Sequence, residues 1–246
     1  CMKNILCFGD SNTWGFIPES IIESFPRRHP HDVRWTGLLA RELGEGFKVI
    51  EEGQNGRTTV HDDPVEGAHR KGLTVLPALL ESYRPLDLVV IMLGTNDLKE
   101  RFAVRPAILE SHKPLDLVVL MLGTNDLKNV FGVSPSEIAV GVKVLAQTIL
   151  TSDAGLSAKP PRLLLMCPPT VGPLSHLPDL EAKLTDAQAR SQQLPKHYEA
   201  VAAALGCAYL NTQEIIAPSP VDGIHLDAAA HQKLGQAVAA KIKALF

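Results

Sequence analysis

The sequence predicts an α/β protein of three layers, in which helices cover both faces of an open, mostly parallel central sheet. Short apolar runs alternate along the chain with segments whose apolar residues recur at helical spacing. The apolar runs are continuous rather than alternating, which indicates strands buried on both faces, as in a parallel sheet between helices. The length of 246 residues predicts a single domain, 1–246.

The predicted elements follow in order. Strands are expected at 4–8, 47–50, 88–93, 117–122, 162–166 and 208–210, and helices at 33–43, 73–83, 106–112, 134–150, 185–205 and 228–245. The helix after Ser134 has the strongest start signal, because a Ser N-cap is followed by Pro135 and then by Glu137. Pro195 predicts a kink or break in its helix. Residues 170–185 are Pro-rich and are expected to be irregular.

One segment occurs twice in tandem, over residues 76–104 and 105–133, with roughly 21 of the 29 aligned positions identical. Each copy ends an apolar strand on Gly-Thr-Asn-Asp, so Asn96 and Asn125 are alternative candidates for one site residue. Asn125 is favoured because it leads into the well-capped helix at Ser134. The surplus strand is expected at the sheet edge, in an excursion, or paired with a partner chain, since insertion within the sheet would displace the next strand. An uncovered apolar edge strand can pair with a strand of a second copy of the chain, so a homo-oligomer is expected.

Composition excludes several classes of function. The net charge is −3 and there is no long basic run, so nothing indicates a nucleic-acid partner. No apolar run approaches the roughly 20 residues that span a bilayer, so no membrane partner is expected. The cysteines have neither metal-site spacing nor the density of a disulfide scaffold, which favours free thiols in a reducing cytoplasm. No metal and no cofactor are expected. These cysteines are Cys1, Cys7, Cys167 and Cys207.

Polar corners follow four of the predicted secondary-structure units, where an α/β protein places ligand-contacting groups. They are Gly9–Thr13, Gly53–Thr59, a Gly-Thr-Asn-Asp, and Asp222–His225. Acyl transfer through serine needs a nucleophile, a base that touches it, a group that holds the base, and donors for the oxyanion. Ser11 sits at a turn after a strand. Asp222 and His225 can share one loop, and Gly56 and an Asn can supply donors.

These blocks, in this order, resemble the SGNH (GDSL-type) hydrolase superfamily, whose fold is flavodoxin-like. The branch that they resemble most is that of bacterial arylesterases, carbohydrate acetylesterases and acyltransferases. The motifs that indicate this branch lie at residues 7–11, 13–15, 33–37 and 56–59. The resemblance implies Ser11 as nucleophile and Asp222 and His225 as its triad partners. It implies Ser11, Gly56 and Asn125 (or Asn96) as the oxyanion hole, and members of this branch are often oligomeric. The residue after the serine is Asn12 here, where the family usually has Leu.

Several neighbouring residues have two interpretations. Trp14 and Phe16 are either core residues or substrate-binding residues that line the acyl pocket. Asp97 and Asp126 are interpreted as helix-start or loop-bonding carboxylates rather than as catalytic groups. Residues 167–169, Cys-Pro-Pro, form a predicted structural corner that can also line the pocket.

The expected function is a serine esterase that acts on small acetyl-type esters of aryl alcohols or sugars, with acyl transfer to an alcohol as a second outcome. One alternative is a thioesterase or lysophospholipase with the same machinery. Another, from a different class, is a non-catalytic carbohydrate- or acyl-binding module in which the duplication has spoiled the oxyanion hole.

Overall fold

The computed structural model describes residues 2–58, 68–93, 114–129 and 132–246. Within this part of the chain, six parallel strands form one sheet in the order β2-β1-β3-β4-β5-β6. Every strand predicted from the apolar runs is present. The bounds are β1 Lys3–Gly9, β2 Phe47–Gly53, β3 Leu88–Met92, β4 Leu117–Met121, β5 Arg162–Cys167 and β6 Ala208–Asn211.

Helices cover both faces of the sheet, which confirms the predicted α/β class. Their bounds are α1 Ser11–Trp14, α2 Trp35–Leu43, α3 Gly72–Ser82, α4 Pro135–Leu150, α5 Pro178–Lys183, α6 Ala187–Ser191, α7 Leu194–Leu205 and α8 Ala228–Leu245. Buried side chains of α2 and α8 form the core on one face, and those of α3, α4 and α7 form the core on the other. Strand residues alternate between the two cores, so Leu6 and Phe8 face one while Ile5 and Cys7 face the other.

Local signals in the sequence explain several helix boundaries. α4 begins with the predicted capping box, in which Ser134 and Glu137 each bond the other's backbone amide. Pro195 lies in the first turn of α7, so the predicted helix 185–205 is broken into α6 and α7. The prediction of irregular structure for 170–185 is wrong in part, because α5 lies within it. The helix predicted at 106–112 lies outside the described residues.

The duplicated strands β3 and β4 lie side by side in the middle of the sheet. They pair parallel in register, so each residue faces its own counterpart in the repeat, from Leu88 beside Leu117 to Met92 beside Met121. The expectation of an edge position, an excursion or a partner chain is therefore wrong. Both copies are apolar on both faces, and a central position buries both faces under helices, which an edge does less completely.

At the amino-terminal end of the strands, a residue of β1 contacts both copies of the repeat. Lys3 Nζ lies 3.0 Å from a carboxylate oxygen of Asp87 and 2.5 Å from one of Asp116, the same position of the two copies. The backbone continues the match, because Asp116 N–H donates to the Asp87 carbonyl at 2.8 Å. One lysine on β1 thus pairs with both equivalent carboxylates where β3 and β4 begin.

Candidate active site

A cavity of about 370 Å³ lies at the carboxyl ends of the strands, where the polar corners were predicted to meet. Its floor is apolar and is formed by the residues at the ends of β3, β4 and β5. Its polar lining comes from the corners after β1, β2 and β4 and from the loop before α8. The apolar floor consists of Met92, Leu93, Met121, Leu122, Pro168 and Pro169. The polar lining consists of Asp10, Ser11, Asn12, Asn55, Gly56, Asn125 and His225.

Ser11 occupies the first position of α1, a single turn directly after β1. The side chain of Asp10 caps this turn by accepting from the Asn12 N–H at 3.1 Å. Gly9 and Gly53, at the ends of β1 and β2, let the turn approach closely, because a Cβ on either glycine would collide with Thr13 or with the Thr13–Trp14 backbone. The nucleophile position is thus fixed by two strand ends and a cap.

The loop before α8 is built around the side chain of Asp222, which has no solvent exposure. Its Oδ1 accepts from the backbone amides of Ile224 and His225 at 2.9 Å each, and its Oδ2 lies 2.6 Å from His225 Nδ1. Burial alone would raise the pKa of Asp222, but the hydrogen bonds from the His225 side chain and the two amides lower it overall. The carboxyl group is therefore held as a carboxylate, which fixes the His225 tautomer with the proton on Nδ1.

His225 connects this carboxylate to the serine. Its Nε2 lies 2.9 Å from Ser11 Oγ, which leaves the unprotonated nitrogen as the acceptor for the hydroxyl proton. Phe16 stacks on the imidazole with ring centroids 4.3 Å apart and an interplanar angle of 29°, and it also lines the cavity. The imidazole is thus constrained by a hydrogen bond at each nitrogen and by an aromatic ring on its face.

Three hydrogen-bond donors that belong to residues lining the cavity have no acceptor among the described residues. They are the backbone N–H of Ser11, the backbone N–H of Gly56, and the side-chain amide of Asn125. Gly56 has φ +66°, a left-handed conformation that favours glycine and turns its peptide within the loop after β2. Unused donors beside a nucleophile are what an oxyanion hole requires.

The corner that carries Asn125 is held by side chains from α6 and α7. The hydroxyl of Tyr198, which is fully buried, donates to the Leu122 carbonyl at 2.6 Å. Arg190 donates to the Leu127 carbonyl and, at 3.1 Å, to the Val133 carbonyl. The backbone on both sides of Asn125 is therefore anchored to the helices behind it.

Asp126 follows Asn125 but faces away from the solvent, with 1 % exposure. Neither of its carboxyl oxygens has a hydrogen-bond partner among the described residues. Burial raises its pKa well above the ordinary value, and its own backbone amide and the nearby Lys128 charge lower it only partly. Asp126 lies in the first turn of the 3₁₀ helix Asn125–Leu127, as the helix-start interpretation predicts, but its unbonded oxygens contradict the loop-bonding interpretation.

The structure brings Ser11, Asp222, His225, Gly56, Asn125 and Phe16 together around one cavity. Trp14 is not among the residues that line the cavity. Its ring centroid lies 6.5 Å from that of Phe16, and the Arg28 guanidinium lies 5.4 Å from the Trp14 ring centroid. The alternative donor Asn96 and its neighbour Asp97 lie outside the described residues. The predicted corner at Cys167-Pro168-Pro169 does contribute, through its two prolines.

Two residues of this site were not given a role by the sequence. Arg57, only 4 % exposed, donates to the Gly9 and Glu52 carbonyls and lies over the Phe8 ring at 4.1 Å, so it ties the ends of β1 and β2 together. Asn12 accepts the Leu226 N–H at 3.1 Å. The departure of Asn12 from the family pattern was the available signal for it, and for Arg57 the signal was its place in the motif 56–59.

Metal and membrane features were sought in the part of the chain that the structure describes. No group of three or more His, Cys, Asp or Glu side chains there could hold a metal ion. No helix there has the length and apolar character that crossing a bilayer requires. Cys7 and Cys167 are buried, Cys207 is half-buried, and none of the three forms a disulfide in this part of the chain.

A parallel α/β sheet that carries a hydrogen-bonded Ser-His-Asp array at its carboxyl edge is the arrangement of a serine hydrolase. The chain belongs to the GDSL-like lipase/acylhydrolase family, whose model matches residues 7–110 and 99–233. This confirms the resemblance to the SGNH (GDSL-type) superfamily, and the protein is a carboxylic ester hydrolase. The two matched stretches overlap over 99–110, across the junction between the two copies of the repeat.

Solved structures of esterases are similar along the whole chain. Est24, a carbohydrate acetylesterase from Sinorhizobium meliloti, is 36% identical, with a TM-score of 0.74 over 99% of this chain and 100% of that one. The native aryl esterase of M. smegmatis is 35% identical, also with a TM-score of 0.74 and coverage of 99% and 100%. A carbohydrate acetylesterase family member from S. meliloti is 27% identical, with a TM-score of 0.74 and 99% of each chain covered. No protein with a curated description matches.

Proposed function

We propose that this hydrolase is a serine esterase that cleaves small acetyl-type esters of aryl alcohols or sugars through an acyl-enzyme. The observation that carries the proposal is the continuous chain of hydrogen bonds from Asp222 through His225 to Ser11, at the edge of a cavity. The substrate class is suggested by the similar structures, of which two are carbohydrate acetylesterases and one an aryl esterase.

The first half of the reaction acylates the enzyme. Ser11 Oγ attacks the ester carbonyl as His225 Nε2 accepts the hydroxyl proton, and Asp222 stabilises the imidazolium that forms. The carbonyl oxygen gains negative charge, which the amides of Ser11 and Gly56 and the carboxamide of Asn125 (or Asn96) stabilise. The tetrahedral intermediate collapses, and the leaving alcohol takes the proton from His225.

The second half removes the acyl group by the same steps in reverse order. Water attacks the acyl carbonyl as His225 Nε2 accepts its proton, and the tetrahedral intermediate then collapses. The carboxylic acid leaves while Ser11 Oγ takes the proton back from His225. If an alcohol replaces water, the product is a new ester, so acyl transfer accompanies hydrolysis when an acceptor alcohol occupies the cavity. A lined cavity of this size leaves room for such an acceptor beside a small acyl group.

The proposal is tested by Ser11→Ala with an aryl acetate as substrate and by covalent labelling with a fluorophosphonate. We expect labelling of Ser11 in the wild-type protein and a loss of turnover of about 10³-fold or more in the variant. Undiminished turnover by Ser11→Ala would refute the serine mechanism. Absence of a Ser11 adduct would favour the non-catalytic binding module.

A second candidate, a thioesterase or lysophospholipase, is favoured by the apolar floor of the cavity. Met92, Leu93, Met121 and Leu122 present a surface that suits a longer acyl chain. Comparing kcat/KM for acetyl, hexanoyl and decanoyl esters of one alcohol separates the two candidates, since the acetylesterase should prefer the shortest. The homo-oligomer and the cytoplasmic location remain predictions.

A further inference from the structure

We propose that Asn12 is a positioning residue, which holds the loop that carries His225 against the turn that carries Ser11. The proposal rests on the function proposed above, because it assigns Asn12 a role in aligning that serine and that histidine. The observation behind it is the hydrogen bond at 3.1 Å from Leu226 N–H, one residue after His225, to Oδ1 of Asn12, one residue after Ser11.

The hydrogen bonds around Asn12 link both ends of the reacting pair. Its backbone N–H donates to Asp10 at 3.1 Å, which fixes the residue on the first turn of α1. Its side chain then reaches the other loop. Two adjacent hydrogen bonds therefore join the two segments. The first links His225 Nε2 to Ser11 Oγ, and the second links Leu226 N–H to Asn12 Oδ1. Two neighbouring bonds across the same gap restrict both the separation and the rotation of the two segments.

The amides of the loop explain why an acceptor is needed at this place. The N–H groups of Ile224 and His225 both donate to Asp222, which uses its Oδ1 twice. The next amide, that of Leu226, points instead toward α1, and Leu226 is only 1 % exposed. A buried backbone N–H must find a partner, and the Asn12 side chain is that partner.

The family pattern usually places Leu where Asn12 stands, and a leucine side chain cannot accept a hydrogen bond. In this chain the Leu226 amide therefore depends on an atom that the usual residue lacks. Without that acceptor the loop is free to shift, and His225 Nε2 then spends less time within reach of Ser11 Oγ. A loss of alignment lowers the rate of the chemical step rather than the affinity for substrate.

The test compares Asn12→Leu, which keeps the approximate size but removes the acceptor, with Asn12→Asp, which keeps the acceptor. We expect Asn12→Leu to lower kcat for an aryl acetate about five- to tenfold at unchanged KM, and to slow fluorophosphonate labelling by the same factor. Asn12→Asp should restore most of the turnover.

A matched control lies on the same turn. Thr13 is fully buried, and its hydroxyl has no hydrogen-bond partner among the described residues. Thr13→Val is nearly isosteric and removes only this unbonded hydroxyl, so it should leave kcat, KM and the labelling rate near those of the wild type. If Asn12→Leu does not fold, Asn12→Ala replaces it, because it removes the same acceptor and adds no volume.

Hydrogen exchange of the Leu226 amide, followed by NMR, gives a readout that does not depend on catalysis. Faster exchange in Asn12→Leu, with protection regained in Asn12→Asp, supports the hydrogen bond from Leu226 N–H to Asn12 even if Ser11 were not the nucleophile. Unchanged exchange and unchanged kcat in Asn12→Leu overturn the proposal. A rise in KM alone also overturns it, because that result identifies Asn12 as a substrate contact.

Discussion

Replacing Asp222 by Asn tests the central relation in the site, which is the control of the His225 tautomer by a buried carboxylate. The change is nearly isosteric. The amide oxygen can still accept from the Ile224 and His225 backbone amides, which Asp222 Oδ1 now accepts at 2.9 Å. The loop should therefore keep its shape, and the substitution changes only what faces His225 Nδ1.

The expected effect follows from the donors and acceptors. In Asp222→Asn the side-chain NH₂ faces Nδ1, where a carboxylate oxygen now lies at 2.6 Å. Two N–H groups cannot bond each other, so the imidazole proton moves to Nε2, and Nε2 can no longer accept the proton of Ser11. A wrong tautomer in a serine triad lowers kcat by about 10⁴, which corresponds to about 5.4 kcal/mol of transition-state stabilisation.

The assay is steady-state hydrolysis of an aryl acetate, with the rate of fluorophosphonate labelling as a second measurement of Ser11 reactivity. Asp126→Asn is the matched control, because it makes the same replacement at another buried carboxyl group beside the cavity, without contact to His225. Its kcat should stay within about tenfold of the wild type. A loss of less than tenfold in Asp222→Asn, with a folded protein, would refute the tautomer argument.

Two further predictions concern stability. The folded pKa of Asp126 lies above the unfolded value of about 3.9, so the native state binds more protons and wild-type stability falls as pH rises from about 4 toward the folded pKa. Asp126→Asn removes this slope, and its gain in Tm over the wild type should grow between pH 4 and 7, whereas a constant difference contradicts the assignment. Tyr198→Phe leaves the buried Leu122 carbonyl without its donor and should lower the free energy of unfolding by about 1–3 kcal/mol in urea melts, with an unchanged m value.

The fold could be predicted from the sequence because its signals are local and agree with one another. Continuous apolar runs marked every strand, and the Ser134 capping box marked the start of α4 to the residue. The position of the duplicated strand could not be predicted, because it depends on which surface remains uncovered after the other strands have assembled. The apolar faces of β3 and β4 are equally suited to the sheet, and only the complete arrangement of helices decides that both are central.

The site could be predicted to the extent that its residues lie within short ordered motifs. Ser11 and His225 belong to such motifs, and their predicted proximity agrees with the 2.9 Å hydrogen bond between them. The contacts that hold the motifs in place could not be predicted, because they join residues far apart in the chain. Asn12 bonds Leu226, and Tyr198 bonds the Leu122 carbonyl. Pairings of this kind are properties of the packed molecule.

The central position of β3 between β1 and β4 bears directly on the choice of oxyanion donor. β4 lies two strand spacings from β1, about 9–10 Å, whereas every donor must come within about 3 Å of the same oxygen. If Asn125 is the donor, its carboxamide must therefore reach back across the end of β3 toward Ser11. In the corner after β4, Thr124 is helical and a single 3₁₀ turn covers Asn125–Leu127. Both Ser11 and Asn125 line the cavity, so a carboxamide donated by Asn125 would act across that space.

Separate Asn125→Ala and Asn96→Ala variants decide between the two copies of the repeat. If Asn125 is the donor, its loss should lower kcat for an aryl acetate by about 10²–10³ at nearly unchanged KM, because the contact is made only in the transition state. Asn96→Ala, the same replacement at the equivalent position, should then have a much smaller effect and serves as the matched control. The reverse pattern would assign the role to the first copy. Equal small losses would contradict a single carboxamide donor, since one missing donor could not then account for the stabilisation of the oxyanion.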